Sequence, residues 1–169
     1  LLAALDGVPM GHYEKAVIAF DRLCLDIPDT DELPYCSILS PSNPNDRPIN
    51  VQVHPFGRPI AVSDLAGDTI REVLADGGPQ GFTAFSVDRL AEAFGGGVRQ
   101  RVTATTATGW AANPFIRGAY SCAKPGRAGD RARLVEGTVT ERVFLAGEAS
   151  SAHAMSTAHG AFLSGIAQA

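Results

Sequence analysis

The clearest pattern in the chain is a set of short apolar runs that either alternate with polar positions or are dense in β-branched residues. Residues 49–54 alternate, with Ile49, Val51 and Val53 on one face, and residues 15–20 form a nearly continuous apolar run. Both patterns predict strands. The predicted strands are residues 15–20, 35–39, 49–54, 58–62, 98–108 and 143–146, with the 49–54 and 58–62 strands paired across a Pro55-Phe56-Gly57 turn.

Other segments carry apolar residues at helical spacing. The first predicted helix is residues 68–75, with Ile70, Val73 and Leu74 facing the core and Gly77-Gly78 ending it. The second is residues 86–94, with Ser86 as N-cap and Leu90, Ala93 and Phe94 facing the core. A last helix begins at His159-Gly160. Residues 1–5 are typical of the end of a helix. The remaining stretches at 26–47 and 111–136, apart from the short strand at 35–39, are predicted to be mostly loop. This order of elements is α+β in character.

Composition narrows the function classes. The chain has 169 residues, of which 45% are hydrophobic and 19% charged, as in an ordinary globular domain. A net charge of −4 argues against a nucleic-acid partner, and no apolar run is long enough for a membrane helix. The cysteines (Cys24, Cys36 and Cys122) are widely spaced and the four histidines lack ligand spacing, so no disulfide framework and no metal site is predicted. A cytoplasmic location is the expectation for reduced cysteines.

The C-terminal block combines an apolar run, a Gly147-Glu148 turn, a small-residue loop and a helix start. A helix start presents free N–H groups and the positive end of the helix dipole, which suit an anionic or electron-rich ligand. This block resembles the C-terminal signature of the FAD-dependent amine oxidases, roughly F-A-G-E followed by T-x-H-G-A-x-x-S-G. The matching residues are Phe144, Ala146, Gly147, Glu148, Thr157, His159, Gly160, Ala161, Ser164 and Gly165.

Two further blocks resemble the same family and occur in the same order. Residues 110–121 match its W-x-x-D-P-F-x-R-G-A-Y-S block, with Asn113 in place of the aspartate, and Pro125-Gly126 follows. Residues 15–21 are similar to its K-V-x-L-x-F-D strand. Together the three blocks span nearly the whole chain.

The resemblance implies part of a two-domain α/β flavoprotein. Residues 1–112 would be mostly a substrate-binding domain with a mixed sheet, in which the residues before about 10 end an FAD-domain helix. Residues 113–169 would supply the closing strand and helix of a Rossmann-like FAD domain. The G-x-G-x-x-G turn that holds a dinucleotide pyrophosphate does not occur in this sequence. The N-terminal FAD-domain portion is therefore expected as a separate chain or a lost segment.

The resemblance also assigns residues. Lys15 would be catalytic, positioning a water near flavin N5 and assisting reoxidation by dioxygen; from the residues alone, an edge-strand lysine that reaches solvent is an equal alternative. The implied cofactor-binding residues are Trp110, Gly118, Tyr120, Gly147, Glu148, Thr157, Ala158, His159 and Gly160. The FAD would be noncovalent, because Gly118 stands where monoamine oxidases carry a flavin-linked cysteine. Ala119 and Thr157 stand in place of the aromatic-cage tyrosines of those enzymes.

The implied function is oxidation of a small-molecule amine by hydride transfer to FAD, with reoxidation by O2 to H2O2, in an enzyme that can form a homo- or hetero-oligomer. An L-amino-acid oxidase is the alternative within the same superfamily. It would need an arginine for the substrate carboxylate, for which Arg58 and Arg117 are candidates. A non-catalytic half-domain scaffold is the alternative from another class.

Overall fold

The computed structural model describes residues 1–27, 34–40, 43, 45–136 and 143–169. The predicted loop at 26–47 therefore falls partly outside the described residues, as does the beginning of the C-terminal block at 141–142. The helices are α1 (Leu2–Gly7), α2 (Gly67–Phe94), α3 (Asp130–Glu136) and α4 (Ala158–Gln168). The strands are β1 (Tyr13–Phe20), β2 (Tyr35–Ile38), β3 (Ile49–Val53), β4 (Ile60–Ala66) and β5 (Val102–Ala107).

The chain divides into two compact units. The sheet unit is His12–Ile116, and the terminal unit combines Leu1–Gly11 with Arg117–Ala169. The assignment of substrate-binding and FAD-binding roles at a boundary near residue 112 stays a prediction.

The sheet unit contains a five-stranded sheet in the order β2-β3-β4-β1-β5. Every strand pair in it is antiparallel, so the prediction of a mixed sheet is wrong for the described strands. Short connections explain part of this difference. The chain turns back between β3 and β4 through one 3₁₀ turn at Pro55–Gly57, and a connection this short joins only antiparallel neighbours.

The core of the sheet unit lies between one face of the sheet and α2. Along β1, buried and half-buried positions alternate strictly, and Ala16, Ile18 and Phe20 are on the buried face. From α2, Ile70 and Leu90 are fully buried in the same cluster. Each large apolar side chain buried in this way contributes about 1.5–3 kcal/mol. The opposite face of the sheet, defined by Tyr13, Lys15 and Val17 on β1 and by their cross-strand partners, is called the open face below.

The helical prediction is correct at 68–75 and wrong at the start of the second helix. Gly78 has φ 61 and ψ −156, so α2 breaks there, and its second half begins at Pro79, whose fixed φ suits a first helical turn. Ser86 is therefore not an N-cap. It is buried inside the helix, where its hydroxyl accepts a hydrogen bond from Ser63 at 2.7 Å. Ala93 is exposed, and Ala91 takes its predicted place in the core.

Three further boundaries differ from the prediction. Residues Gly96–Arg101 form 3₁₀ turns, so the strand predicted at 98–108 is reduced to β5. Helix α3 lies in the segment 111–136 that was expected to be mostly loop. Of the predicted strand at 143–146, only Val143 makes a β-bridge. A strand needs a neighbour to complete its hydrogen bonds, and the terminal unit offers none of the five described strands.

The terminal unit is held by backbone pairing between its two chain segments. The Gly11 N–H donates to the Tyr120 carbonyl at 2.7 Å, and the Ala119 N–H donates to the Gly11 carbonyl at 2.9 Å. A small core of Ala4, Val8 and Leu134 lies beside this pairing. Across the described ranges, no helix is both long enough and apolar enough to cross a membrane.

A buried carboxylate anchors β1 to the segment that follows β5. Glu14 is only 1% exposed and lies on the buried face of β1. Its carboxylate accepts hydrogen bonds from the Thr108 hydroxyl, from the Trp110 N–H at 3.1 Å and from the Ala111 N–H at 2.8 Å. Because several donors converge on it, the buried charge is compensated.

We expect Glu14→Gln to destabilise the sheet unit. The amide would place an N–H group where one carboxylate oxygen now accepts, leaving a buried donor unsatisfied at a cost of about 2 kcal/mol. Urea unfolding followed by the fluorescence of Trp110, the one tryptophan of the chain, measures the loss.

Glu72→Gln is the matched control. The Glu72 side chain is 57% exposed and pairs with Arg47 at 2.9 Å, so its replacement should change the free energy of unfolding by less than about 0.5 kcal/mol. Equal losses in the two variants would contradict the anchoring role of Glu14.

Candidate functional site

The structure places Lys15 on the open face of the sheet. Strand β1 lies between β4 and β5, so Lys15 is in an interior strand and the edge-strand alternative is wrong. Its backbone N–H donates to the Thr108 hydroxyl at 2.8 Å, and its side chain is half-buried. The Lys15 Nζ lies 5.5 Å from the centroid of the Tyr13 ring, within the range of a cation–π contact.

Trp110 belongs to the same part of the sheet unit. Its ring stacks on Tyr13 with centroids 6.2 Å apart and planes at 8°. The Glu14 carboxylate, on the buried face of β1, accepts hydrogen bonds from the backbone N–H groups of Trp110 and Ala111. These bonds fix the backbone that carries the Trp110 ring. Tyr13 therefore contacts both predicted site residues of this unit, Lys15 and Trp110.

In the terminal unit, Glu148 is the centre of a hydrogen-bonded cluster. Its carboxylate accepts from the Ser121 N–H at 2.7 Å, from the Ser121 hydroxyl at 2.8 Å and from the Ser156 N–H at 2.8 Å. Arg131, only 4% exposed, donates to the Ser121 hydroxyl at 2.6 Å and lies 4.0 Å from Glu148. We call these four residues the Glu148 cluster. It joins the block around Tyr120 to the loop that precedes α4.

The cluster keeps Glu148 ionised. Burial alone would raise the pKa of Glu148, but the hydrogen bonds from Ser121 and Ser156 and the charge of Arg131 outweigh it and hold the pKa below its ordinary value of 4.5.

Helix α4 begins directly after this loop. Thr157 is its N-cap, and the Thr157 hydroxyl accepts from the Gly160 N–H at 3.0 Å. The Gly160 amide is therefore used by the cap and is not free for a ligand. The amides of Ala158 and His159, both exposed, have no hydrogen-bond partner within the described part of the chain. These two donors and the helix dipole fit the electron-rich edge of a flavin ring.

Two glycines of the predicted site permit close backbone packing. A Cβ at Gly160 would lie 1.9 Å from the Ala154 carbonyl oxygen, so the helix start can dock on the loop only without a side chain there. Gly118 is buried with φ +149, and a Cβ there would lie 2.8 Å from the Gly11 carbonyl oxygen. The role of both glycines seen here is packing within the terminal unit.

The remaining predicted residues lie close to these two features. The Gly147 N–H donates to the Ser164 hydroxyl at 2.8 Å, which fixes the turn before Glu148 onto α4. Tyr120 is half-exposed, and its carbonyl takes part in the pairing with Gly11. His159 is exposed, with Nε2 3.5 Å from the Thr157 hydroxyl. The terminal unit thus gathers all the predicted cofactor residues except Trp110.

Sequence reasoning missed Glu14, Asp64 and Arg131. Asp64 lies directly across from Lys15 in the β1–β4 pair and is 6% exposed. One signal was available: Glu14 and Asp64 interrupt strands that are otherwise mostly apolar, as Lys15 does. Arg131 had no such signal, because it lies in a stretch rich in glycine and arginine. No group of three or more potential metal ligands occurs in the portion of the chain that is described.

Comparison with known proteins gives consistent results. A family model described as "Flavin containing amine oxidoreductase" matches residues 1–169. The human "Lysine-specific histone demethylase 2" is 39% identical over 62 residues, which are 37% of this chain and 8% of the human protein. The Arabidopsis thaliana "Lysine-specific histone demethylase 1 homolog 2" is 37% identical over 65 residues, 38% of this chain and 9% of that protein.

A solved structure matches nearly the whole chain. The cyclohexylamine oxidase from Brevibacterium oxydans IH-35A aligns with a TM-score of 0.61 and 17% identity, covering 96% of this chain and 35% of that one. At this identity the likeness shows a shared fold. The chain thus spans about a third of the solved relative and under a tenth of the two curated ones.

We expect Gly160→Ala to destabilise the terminal unit by several kcal/mol, because the added methyl group would overlap the Ala154 carbonyl. The control is Gly165→Ala in the same helix, where nothing lies within 4 Å of the added Cβ. Alanine there should be neutral or stabilising by up to about 1 kcal/mol. Hydrogen exchange of α4 peptides compares the two, and equal protection would contradict the close approach at Gly160.

The stability of the terminal unit should depend on pH through Glu148. Because the folded pKa lies below the ordinary 4.5, ionised Glu148 stabilises the fold fully above about pH 4.5, and this contribution is lost as the pH falls through the folded value. Wild type should therefore be more stable than Glu148→Gln at about pH 6, with the difference shrinking in acid. Hydrogen exchange of peptides around Ser121 measures it, and a constant difference would contradict the assignment.

Proposed function

The chain belongs to the flavin-containing amine oxidoreductase family, and on that premise we propose that it is the C-terminal portion or subunit of an FAD-dependent amine oxidase. The family match over residues 1–169 is the observation that carries the proposal. The sheet unit would serve as the substrate-binding domain. The terminal unit would complete an FAD domain whose N-terminal portion lies outside this chain. We also propose that the protein is cytoplasmic.

The terminal unit would hold noncovalent FAD. The amides of Ala158 and His159, which have no partner among the described residues, would donate to the pyrimidine end of the ring and stabilise the negative charge that develops there. Glu148 would act through the cluster, keeping the loop before α4 in place while Gly147 leaves room for the cofactor. Gly118, in the place of a flavin-linked cysteine, supports noncovalent binding.

Bound FAD supplies a two-electron acceptor that takes hydride from the carbon next to a neutral amine and returns the electrons to O2, giving H2O2. The residues of this chain would orient the amine, exclude water and supply one positive charge, that of Lys15. Lys15 would hold a water on the open face and assist the reaction with O2. Its contact with Tyr13 and the stack of Tyr13 on Trp110 keep that side chain in one place.

We expect the purified holoenzyme to show flavin absorbance that amines bleach under anaerobic conditions. Lys15→Met should keep the bound flavin but slow reoxidation by O2 by roughly a hundredfold, a loss comparable to that of one positioned catalytic donor. Stopped-flow absorbance separates the two half-reactions.

The matched control is Lys124→Met, which replaces the other lysine of the chain. Lys124 is exposed and pairs with Asp6 at 2.9 Å, so its loss should leave reoxidation unchanged. Bleaching by L-amino acids and not by amines would favour the amino-acid oxidase alternative. A colourless preparation in which both variants behave as wild type would favour the scaffold.

A further inference from the structure

Asp64 is a buried acidic residue with no role in the proposed reaction so far. It is 6% exposed and lies in β4, on the open face, directly opposite Lys15 on one side and Asn50 on the other. Among the described residues, no cation lies within ion-pair distance of its carboxylate. The Nζ of Lys15 lies 5.5 Å from the centroid of the Tyr13 ring.

The carboxylate has one hydrogen-bond donor in the described part of the chain. The Tyr35 hydroxyl donates to it, lying 3.0 Å from Oδ1 and 3.2 Å from Oδ2. Burial, together with the hydrogen bond and negative charge of Asp64, raises the pKa of Tyr35 to about 12, so this hydroxyl stays a donor at neutral pH. An ionised carboxylate can accept roughly four hydrogen bonds. Asp64 therefore keeps unused acceptor capacity at a place where an uncompensated charge is costly.

Apart from Lys15, two neighbours of Asp64, Asn50 and Tyr35, carry oxygen atoms that can also accept hydrogen bonds. Asn50 accepts from the Ser37 hydroxyl at 2.7 Å through its side-chain oxygen, and the Tyr35 oxygen retains lone pairs after it has donated. Asp64, Asn50 and Ser37 form a row across adjacent strands that starts at Lys15. With strands about 4.8 Å apart, the row runs about 14 Å from Lys15 to Ser37.

We propose that Asp64, with Tyr35 and Asn50, binds a second cationic group of the substrate, so that the substrate is an amine with another ammonium a few bonds from the reacting nitrogen. This assignment rests on the proposed function. An ammonium has three donors and no acceptor, which complements a site made of a carboxylate and two neutral acceptors. Charge-assisted bonds of this kind are about twice as strong as neutral ones.

The same site selects against another substrate class. A substrate carboxylate next to Asp64 would meet a like charge in a poorly solvated place, which is unfavourable. Asp64 therefore favours diamines over both monoamines and amino acids.

The test compares 1,4-diaminobutane with 1-aminobutane as reductants of the holoenzyme under anaerobic conditions. Asp64→Asn should lower the diamine-to-monoamine ratio of kcat/KM by about tenfold or more, mainly through the KM for the diamine, because the charge-assisted bond is lost. Tyr35→Phe, at a half-exposed position that tolerates the change, should lower the same ratio by a smaller factor. Asp68→Asn, an exposed carboxylate four positions along, is the matched control and should leave the ratio unchanged.

The outcomes separate this inference from the proposed function. If neither amine reduces the flavin of the wild type, the proposed function fails. If both reduce it and Asp64→Asn leaves the ratio unchanged, the proposed function stands and the substrate assignment is overturned. A loss confined to reoxidation by O2, with equal effects for both amines, would also overturn it and would make Asp64 a counter-ion of Lys15.

Discussion

The alternation of side chains along β1 is the constraint on which the sheet unit depends. Because β1 pairs with β4 on one side and β5 on the other, its two faces are sharply different. Ala16 and Ile18 have no exposed surface and pack toward α2, while Lys15 and Tyr13 are half-buried on the open face. A slip by one residue would exchange the faces and place the Lys15 charge in the core, so the core fixes the register that displays the candidate chemistry.

The terminal unit depends on polar contacts more than on apolar burial. Among its described residues the buried apolar cluster consists of Ala4, Val8 and Leu134, whereas Arg131, Ser121 and Glu148 form one connected network across two chain segments. The Arg131 Nε is buried without a partner among the described atoms, so the network is not fully satisfied. The hydrogen bonds that are formed fix the geometry of the network, while the unsatisfied buried N–H costs stability. The loop before α4 is thereby held in the shape that Gly160 requires.

Strands and helices with a clear local periodicity of apolar residues could be predicted from the sequence. Contacts between residues far apart in the chain could not. The alternation at 49–54 predicted β3, because a strand with one buried face repeats every two residues. Ser86 looks like an N-cap in its local sequence, and only its bond to Ser63, 23 positions earlier, shows that it is in a helix interior. The donors that satisfy Glu14 lie 94 to 97 positions away, so no local pattern reveals them.

The two buried carboxylates of the sheet differ in a way that separates structure from function. Glu14 accepts hydrogen bonds from the Thr108 hydroxyl and from the backbone amides of Trp110 and Ala111, which lie in a turn. These donors compensate its buried charge within the fold. Within the described residues, Asp64 accepts from the hydroxyl of Tyr35 and lies opposite Lys15, whose Nζ is 5.5 Å from the centroid of the Tyr13 ring. Burial of a charge is costly for both groups, and of the two only Glu14 has donors from several residues in the described part of the chain. Asp64 therefore keeps acceptor capacity that the proposed substrate ammonium would use.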